Sequence, residues 1–246
     1  YSPEYFSETH QNYFTHSNIV LFEQIASYID REPEPKPAPK SLIDVGCGTG
    51  SLLQFLKRRM PKLALTGTDV AVPARADFEF IQGDIVSMAL DRRFSIVVTL
   101  GTIEHIENVI GFVRRLKSLA APGALVIVMT VNEDSTVYAA ARALRGVGVH
   151  LPFDRLYSHH HLHHFTRTSL AYLFRQEGFT IENAIYYNPS MNAVDIPVSG
   201  PTTRGLLKAA VGSLFVLGLL RRKTFLQTLI MREQVASNSR VLGALP

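Results

Sequence analysis

Residues 41–50 constrain this chain more than any other segment, because three glycines at alternate positions follow a short apolar run. Leu42, Ile43 and Val45 predict a buried strand, and a helical pattern begins at about Ser51. The glycines between these two elements are Gly46, Gly48 and Gly50. Glycine lets the backbone approach a ligand where a Cβ would collide, and the free N–H groups of the following helix face that ligand. The segment therefore predicts a nucleotide-like cofactor at a turn between strand and helix.

The glycine spacing distinguishes two kinds of cofactor site. The dinucleotide fingerprint has glycines at i, i+2 and i+5, which would require a glycine where Ser51 stands if the count starts at Gly46. The observed spacing, preceded by Asp44, resembles the first motif of the class I S-adenosylmethionine (SAM)-dependent methyltransferases. In that family the loop backbone contacts the amino-acid part of the cofactor. A glycine-rich turn without a ligand is the alternative at this point.

The composition is that of a globular protein. Of the 246 residues, 46% are hydrophobic and 19% are charged, which argues against disorder. One cysteine, Cys47, excludes an internal disulfide framework and favours a cytoplasmic location, and the polar start of the chain shows no signal-peptide pattern. The net charge of +4 comes without a long basic run, so we expect no nucleic-acid partner.

Strand and helix patterns alternate along most of the chain. The predicted strands are 41–46, 63–69, 78–82, 94–99, 124–130, 179–187 and 224–231, and the predicted helices lie near 51–60, 106–120 and 167–178. Continuous apolar strands suit a parallel sheet that is covered on both faces. The predicted fold is α/β: a doubly wound, Rossmann-like, seven-stranded and mostly parallel sheet with helices on both faces.

The whole chain, 1–246, is predicted to be a single domain with three additions to the minimal fold. Residues 1–40 form a helical cap, and residues 132–165 and 189–223 form two insertions on the substrate side. The first insertion carries a short helix and a His-rich loop, and the second carries prolines and an apolar helix. Both follow strands at the edge where the ligand should lie, so we expect them to shape a substrate pocket.

Two further aspartates follow the glycine turn in the order typical of the resemblance. Asp69 ends the second strand, where a carboxylate can accept hydrogen bonds from ribose hydroxyls in either SAM or NAD. In the methyltransferase family an aspartate at the position of Asp84 bonds the adenine amino group, and its neighbour packs on the ring. The cofactor contacts that the resemblance implies are Asp44, Gly46, Cys47, Gly48, Gly50, Asp69, Val70, Asp84, Ile85 and Leu100.

The connection after Asp69 departs from the family pattern. Only eight residues, Val70 to Asp77, precede the third strand, whereas a full crossover needs about a dozen. We expect a very short helix or a loop there. A cofactor contact from Val70 is therefore the least secure of the set.

Two histidines are candidates for the base that takes a proton from a hydroxyl acceptor, since the pKa of histidine lies near working pH. His105 follows the fourth strand on the ligand side, and a histidine packed beside the cofactor is the alternative. His161 belongs to a cluster at 159–164, and the resemblance of His161-Leu-His-His-Phe-Thr to small-molecule methyltransferases implies that it faces the pocket. A surface or structural role is the alternative for His161.

A metal site is weighed from the residues after the fourth strand. Ubiquinone-pathway and small-RNA methyltransferases carry Glu-x-x-Glu-His there and bind a divalent ion. This chain keeps Glu104 and His105 but has Gly101 at the first glutamate position. Losing one carboxylate weakens an oxygen-rich site. We therefore predict no functional metal.

The apolar segment 205–220 contains about 16 residues and is followed by Arg221-Arg222-Lys223. This length is below the ~20 residues of a bilayer span, so we expect no transmembrane span. Packing on the domain or on a dimer partner, an apolar substrate entrance, and a membrane-surface contact are the three interpretations. A homodimer is compatible with the first of them.

The functional prediction is a SAM-dependent methyltransferase that acts on a small molecule, most simply at a hydroxyl oxygen, and releases S-adenosylhomocysteine. A natural product, sugar, quinone or lipid-like compound would be the acceptor. The alternatives are methylation at nitrogen or carbon, an NAD(P)-dependent oxidoreductase, and a SAM-binding protein without catalysis.

Overall fold

A seven-stranded sheet forms the centre of the computed structural model, which describes residues 18–34, 39–73, 77–194, 196 and 200–234. The strands are Ser41–Val45 (β1), Ala64–Asp69 (β2), Glu79–Gln82 (β3), Phe94–Leu100 (β4), Ala120–Val131 (β5), Phe179–Tyr187 (β6) and Leu226–Glu233 (β7). Their order in the sheet is β3-β2-β1-β4-β5-β7-β6. β7 is antiparallel to both of its neighbours, and every other pair is parallel. The predicted mostly parallel sheet is confirmed.

Helices cover both faces of this sheet. They are Ile19–Arg31 (α1), Ser51–Arg59 (α2), Val109–Leu119 (α3), Thr136–Gly146 (α4), Leu151–Leu156 (α5), Arg167–Gln176 (α6) and Pro201–Leu220 (α7), with short 3-10 turns at Ile103–His105 and Met191–Ala193. One apolar core joins α1, α2 and Tyr138 of α4 to the sheet. A second core joins α3 and α6 to the opposite face. Two cores on one sheet confirm the doubly wound prediction.

Several elements differ from the sequence-based prediction. The helix expected from 106 begins at Val109, because the side chain of Asn108 accepts a hydrogen bond from the Gly111 N–H at 2.9 Å and caps it. β5 begins at Ala120 rather than at 124. The predicted His-rich loop also contains the short helix α5.

The connection between β2 and β3 agrees with the expectation from its length. Residues 70–73 and 77–78, which are the described part of this connection, contain no helix. The predicted cap at 1–40 lies partly outside the described residues, which begin at Asn18, and α1 is the part of it that the structure shows. The three-part division of the chain stays a prediction.

The apolar helix is longer than predicted, and this corrects the argument that it is too short for a membrane span. α7 begins at Pro201 and has 20 residues. Proline is favoured in the first turn of a helix because its missing N–H has no partner there. Within the described residues, Thr202–Leu220 is the one helix that is long and apolar enough to cross a membrane by length and composition.

Candidate active site

A cavity of about 1000 Å³ opens at the carboxyl ends of the central strands. β1 and β4 are neighbours there, and the chain continues from them toward opposite edges of the sheet. Open α/β sheets bind ligands at such a switch point. The turns after β1, β2, β3 and β4 line one part of the cavity, and α1, α4, α5 and α7 line the rest.

The glycine turn has the backbone that its sequence predicts. Gly46, Gly48 and Gly50 all have positive φ, at 73°, 52° and 73°. A Cβ on Gly46 would lie 2.3 Å from the hydroxyl oxygen of Thr102, so a larger residue does not fit. Gly50 differs, since it is not on the cavity wall, and a Cβ there would lie 2.5 Å from the ring of Phe78. The structure therefore gives Gly50 a packing reason to be glycine.

Asp69 fixes the glycine turn to the end of β2. Its Oδ2 accepts a hydrogen bond from the Gly48 N–H at 2.8 Å, and its Oδ1 accepts one from the Ala71 N–H at 3.0 Å. Both carboxylate oxygens keep a further lone pair for a ligand donor. Asp69 and the exposed Val70 line the cavity.

Asp44 is a carboxyl group of the site with a strongly raised pKa. It is buried at the end of β1, and its Oδ1 has no hydrogen-bond partner among the described residues. Burial, together with the negative charge of Asp69, raises the pKa of Asp44 to about 8. The raised pKa keeps the carboxyl group protonated at neutral pH. Its Oδ1 is then an acceptor at the cavity wall without a partner among the described residues.

The third strand ends in a second polar corner of the cavity. Asp84 accepts hydrogen bonds from the Val86 N–H at 3.0 Å and from the Ser87 hydroxyl at 3.1 Å. Ile85, beside it, is buried and lines the cavity, and Leu100 lines it from the end of β4. These positions are those that the sequence predicts for the adenine end of a cofactor.

Cys47 lies in the same wall, and burial raises the pKa of its thiol. The thiol therefore stays protonated at neutral pH. A protonated, partly buried thiol is a poor nucleophile. This agrees with a packing role in the turn.

Glu104, His105 and His161 meet in the lining of the same cavity. The rings of His105 and His161 have centroids 4.8 Å apart in an edge-to-face arrangement. One ligating atom from each of the three residues lies within 4.8 Å of the others. All three side chains line the cavity.

Hydrogen bonds to carbonyl groups set the tautomers of the two histidines. His105 Nδ1 lies 2.7 Å from the carbonyl oxygen of His160, and His161 Nδ1 lies 3.4 Å from that of Leu156. A carbonyl oxygen only accepts, so both Nδ1 atoms carry the proton in the neutral rings. The Nε2 atoms are then the basic nitrogens.

Burial keeps this pair of histidines neutral. It lowers the pKa of His161 to about 4, against an opposing attraction from Glu104, and it lowers the pKa of His105. Burial also raises the pKa of Glu104. At neutral pH the site therefore presents two uncharged imidazoles, as a proton acceptor requires.

Comparison with known protein families identifies the fold. A family model described as a methyltransferase domain matches residues 14–184, which is more than half of the chain. The chain belongs to this methyltransferase family. Membership of the class I SAM-dependent superfamily, predicted from the glycine turn, is confirmed, and the oxidoreductase alternative is excluded.

Curated relatives of the methyltransferase are remote. A ubiquinone biosynthesis O-methyltransferase of Stutzerimonas stutzeri is 26% identical over 51% of this chain and 67% of that protein. An ajmaline N-methyltransferase of Rauvolfia serpentina is 24% identical over 54% of this chain and 52% of that protein. The chain thus spans about two thirds of the first relative and about half of the second.

Solved structures share the fold at lower identity. The plantazolicin methyltransferase BpumL in complex with SAH has a TM-score of 0.60 and 17% identity, with 95% of this chain and 92% of that chain covered. At this identity the likeness establishes the fold and carries no conclusion about the acceptor.

The geometry of the methyltransferase brings together nearly all of the predicted site residues. Nine of the ten predicted cofactor residues, all except Gly50, and both predicted histidines lie on one cavity wall. No contact with a ligand is tested by this placement, so the individual roles stay predictions. The expectation of no functional metal likewise stays a prediction, since Glu104, His105 and His161 form a group that could hold an ion.

Sequence reasoning missed two parts of the site. Glu104 was considered only as a remnant of a metal motif, although its place between β4 and His105 was a signal for a buried partner of histidine. The apolar wall was assigned to two insertions without naming residues. In the structure it includes Val137, Leu144, Leu151, Val211, Leu214 and Phe215.

Proposed function

We propose that this methyltransferase transfers the methyl group of SAM to a hydroxyl oxygen of an apolar small molecule, with His161 as the base. The observation that carries the proposal is the junction of three surfaces in one cavity. The polar cofactor wall, the neutral histidine pair and an apolar wall from the insertions are continuous there. Such a cavity orients an acceptor and leaves its hydroxyl next to a proton acceptor.

The cofactor wall fits SAM on two independent observations. A Cβ at Gly46 would collide with Thr102 on the cavity wall, so the Gly46 backbone itself lines the cavity. The buried Asp44 has an oxygen without a partner among the described residues, which is available to a donor group of the ligand. Asp69 would hold the ribose, and Asp84 with Ile85 would hold the adenine. When bound, SAM supplies an electrophilic methyl group on a sulfonium, and the protein's part is alignment and proton transfer.

The acceptor wall selects for apolar compounds. α4, α5 and α7 supply mainly aliphatic side chains to it, and Arg155 is the charged residue that they contribute to the lining. A sugar or an organic polyanion would lose most of its hydrogen bonds to water on entering such a wall. An alkyl or prenyl tail would instead gain from burial.

His161 is a better base than His105 for two reasons. Glu104 lies beside it and attracts a proton on its ring, which offsets part of the effect of burial on the cation formed by proton abstraction. His161 also belongs to the insertion 132–165, which contributes to the acceptor wall, whereas His105 belongs to the turn that follows β4. Glu104 is then a positioning residue, which acts through His161.

The named relatives support methyl transfer to small molecules and divide between oxygen and nitrogen. The first is an O-methyltransferase of ubiquinone biosynthesis, and the second is an N-methyltransferase. A neutral, buried base favours oxygen, because a hydroxyl must lose its proton while an amine can attack with its lone pair. Cytoplasmic location and homodimer formation stay predictions.

A pair of acceptors with the same tail tests the proposal. The protein is incubated with SAM carrying a labelled methyl group and either 4-octylcatechol or 4-octylaniline. We expect labelled methyl ether from the catechol at a rate at least tenfold above that of the amine. Preferred methylation of the aniline would contradict attack by oxygen.

A binding experiment distinguishes a wrong acceptor from a wrongly assigned cofactor site. Isothermal titration with S-adenosylhomocysteine should show binding that Asp69→Ala weakens by about tenfold or more, as expected for loss of a charge-assisted hydrogen bond. Binding without methylation of either compound would indicate a different acceptor or a SAM-binding protein without catalysis. Absence of binding would contradict the assigned cofactor site itself.

A further inference from the structure

An exposed apolar surface lies next to the cavity and shares part of its lining. It consists of the large apolar side chains of residues 144–151 and of α7, and we call it the apolar rim. Leu220 is 79% exposed and Val147 is 77% exposed. The other exposed members are Leu144, Val149, Leu151, Leu206, Leu207, Val216 and Leu219. Only 11% of the most apolar part of α7 is buried, so this surface faces outward.

The apolar rim is continuous with the acceptor wall. Leu144, Leu151 and Leu207 are exposed and also line the cavity. A molecule that covers the rim therefore also covers the mouth. An apolar compound passing from that molecule into the cavity would stay in contact with apolar side chains.

Positive charge borders the apolar rim. Residues 139–156 and 200–223 contain eight arginine and lysine residues and one carboxylate, Asp154. Arg142 among them forms an ion pair with Glu133, at 3.2 Å, from outside these ranges. The basic residues are Arg142, Arg145, Arg155, Arg204, Lys208, Arg221, Arg222 and Lys223. Apolar side chains bordered by basic ones are typical of segments that lie in the interface of an anionic membrane.

We propose that the apolar rim binds the surface of an anionic lipid bilayer, with α7 lying in the interface and the cavity mouth turned toward the lipid. The exposed leucines and valines enter the headgroup boundary. The bordering arginines and lysines contact lipid phosphates. An apolar acceptor dissolved in the bilayer then reaches the cavity without crossing water.

The way α7 is held excludes a transmembrane position for it in this fold. The Thr136 hydroxyl donates a hydrogen bond to the Leu214 carbonyl at 2.7 Å, and the Asn188 side chain donates one to the Phe215 carbonyl at 2.9 Å. The strands on either side of α7 pair with each other, with Tyr187 opposite Leu226. A span would force the irregular connection from β6 through the hydrocarbon core, where its backbone groups would lack partners.

A second copy of the chain is a poorer occupant of this surface. A two-fold dimer through the apolar rim would place the same eight basic residues on both sides of the interface. Like charges across an interface oppose association. An anionic bilayer satisfies the apolar and the charged parts of the surface together.

Vesicle co-sedimentation tests the proposal on the full chain. The probes are vesicles of phosphatidylcholine alone and of phosphatidylcholine with one third phosphatidylglycerol. We expect binding to the anionic vesicles at least tenfold stronger than to the neutral ones, and weaker binding in high salt. Val216→Glu with Leu220→Glu should lower the binding to anionic vesicles at least tenfold.

Two further variants make the test specific. Arg221→Gln with Lys223→Gln should lower binding to the anionic vesicles by about fivefold for each charge removed. Ile110→Glu with Tyr172→Glu is the matched control, since both residues are exposed on α3 and α6, away from the rim, and this variant should bind as the original chain does. Circular dichroism confirms that each variant is folded.

Two outcomes would overturn the proposal. One is equal binding of the folded rim variant and the control to anionic vesicles. The other is a dimer, measured by light scattering, that the rim variant dissociates while no form of the protein binds vesicles. Because the readout uses no methyl transfer, failure here leaves the proposed reaction untouched, and failure of that reaction leaves the vesicle result untouched.

Discussion

At the scale of single residues, Asp44 of β1 is a buried carboxyl group that we interpret as a ligand contact at the cavity wall. The carboxyl group is buried without a full set of partners, and Asp69 is close enough to oppose its ionisation. Nothing in the packing of β1 requires a carboxyl group there. A carboxyl group at this buried position is explained if a ligand donor completes its hydrogen bonding.

Replacement of Asp44 gives a prediction with a definite pH dependence. Because the folded state raises the pKa of Asp44 from 3.8 to about 8, the folded state holds a proton that the unfolded chain releases in this range. The stability of the original chain should fall, relative to Asp44→Asn, by about 1.4 kcal/mol for each pH unit between these values. Urea unfolding at several pH values between 4.5 and 8 measures this.

Asp44→Asn should have opposite effects on the stability of the fold and on cofactor binding. Asp44→Asn should unfold at higher urea concentration at pH 8 and bind S-adenosylhomocysteine more weakly than the original chain. Equal pH slopes for the two proteins would contradict the raised pKa. Unchanged ligand affinity would contradict the role given to the carboxyl group.

At the scale of elements, α1 is tied to the sheet by Arg232 of β7. The guanidinium donates to both carboxylate oxygens of Glu32 at 2.9 and 2.6 Å, and also to Glu182 at 2.7 Å and to the Gly123 carbonyl at 2.8 Å. The first residues of α1 line the cavity. This cluster therefore fixes an element of the cavity wall from its far end.

Loss of the Arg232 contacts should lower the stability of the fold more than loss of an exposed ion pair to α1 does. We expect Arg232→Ala to lower the free energy of unfolding by about 2 kcal/mol, because bidentate, partly buried pairs are among the stronger ones. Arg59→Ala, which removes the exposed pairs with Asp30 at 3.3 Å and Glu23 at 3.9 Å, is the control and should change this free energy by less than about 1 kcal/mol. Equal effects, measured by urea unfolding, would contradict the assigned role of Arg232.

Elements with a clear local signal were predictable, and their boundaries depended on capping. The apolar strands and the glycine turn follow from residue pattern alone. The start of α3 could not be predicted in this way. The apolar pattern places it near residue 106, whereas the Asn108 side chain caps the helix, which begins at Val109. The start of α7 was missed because the apolar pattern begins at Gly205, whereas the helix begins four residues earlier with Pro201 in its first turn.

At the scale of the whole molecule, the cofactor wall was predictable and the acceptor wall was not. The cofactor residues follow strand ends in sequence order, and parallel strands bring their carboxyl ends to one edge. The meeting of Glu104 with His161 instead depends on a loop held by hydrogen bonds across the fold, such as the His163 N–H to the Glu104 carbonyl at 3.1 Å. No local pattern specifies such a contact.

The exposure of α7 was also beyond prediction from its sequence. An apolar helix of this composition is buried in most folds, and only its position at the cavity mouth shows which side chains face outward. Polar wall, histidine pair, apolar wall and apolar rim then form a continuous path. Under the proposed function, this path would deliver an apolar acceptor to the bound methyl donor.

The most direct test of this account is the single-turnover rate of methyl transfer to 4-octylcatechol, at saturating SAM and in EDTA, for the original chain, His161→Asn and His159→Ala. The last is the matched control, an exposed histidine of the same loop. The account predicts a rate at least 100-fold lower for His161→Asn, with unchanged affinity for S-adenosylhomocysteine, and the original rate for His159→Ala. A rate for His161→Asn within threefold of the original, or loss of all activity in EDTA with recovery on adding a divalent ion, would contradict His161 as a metal-independent base.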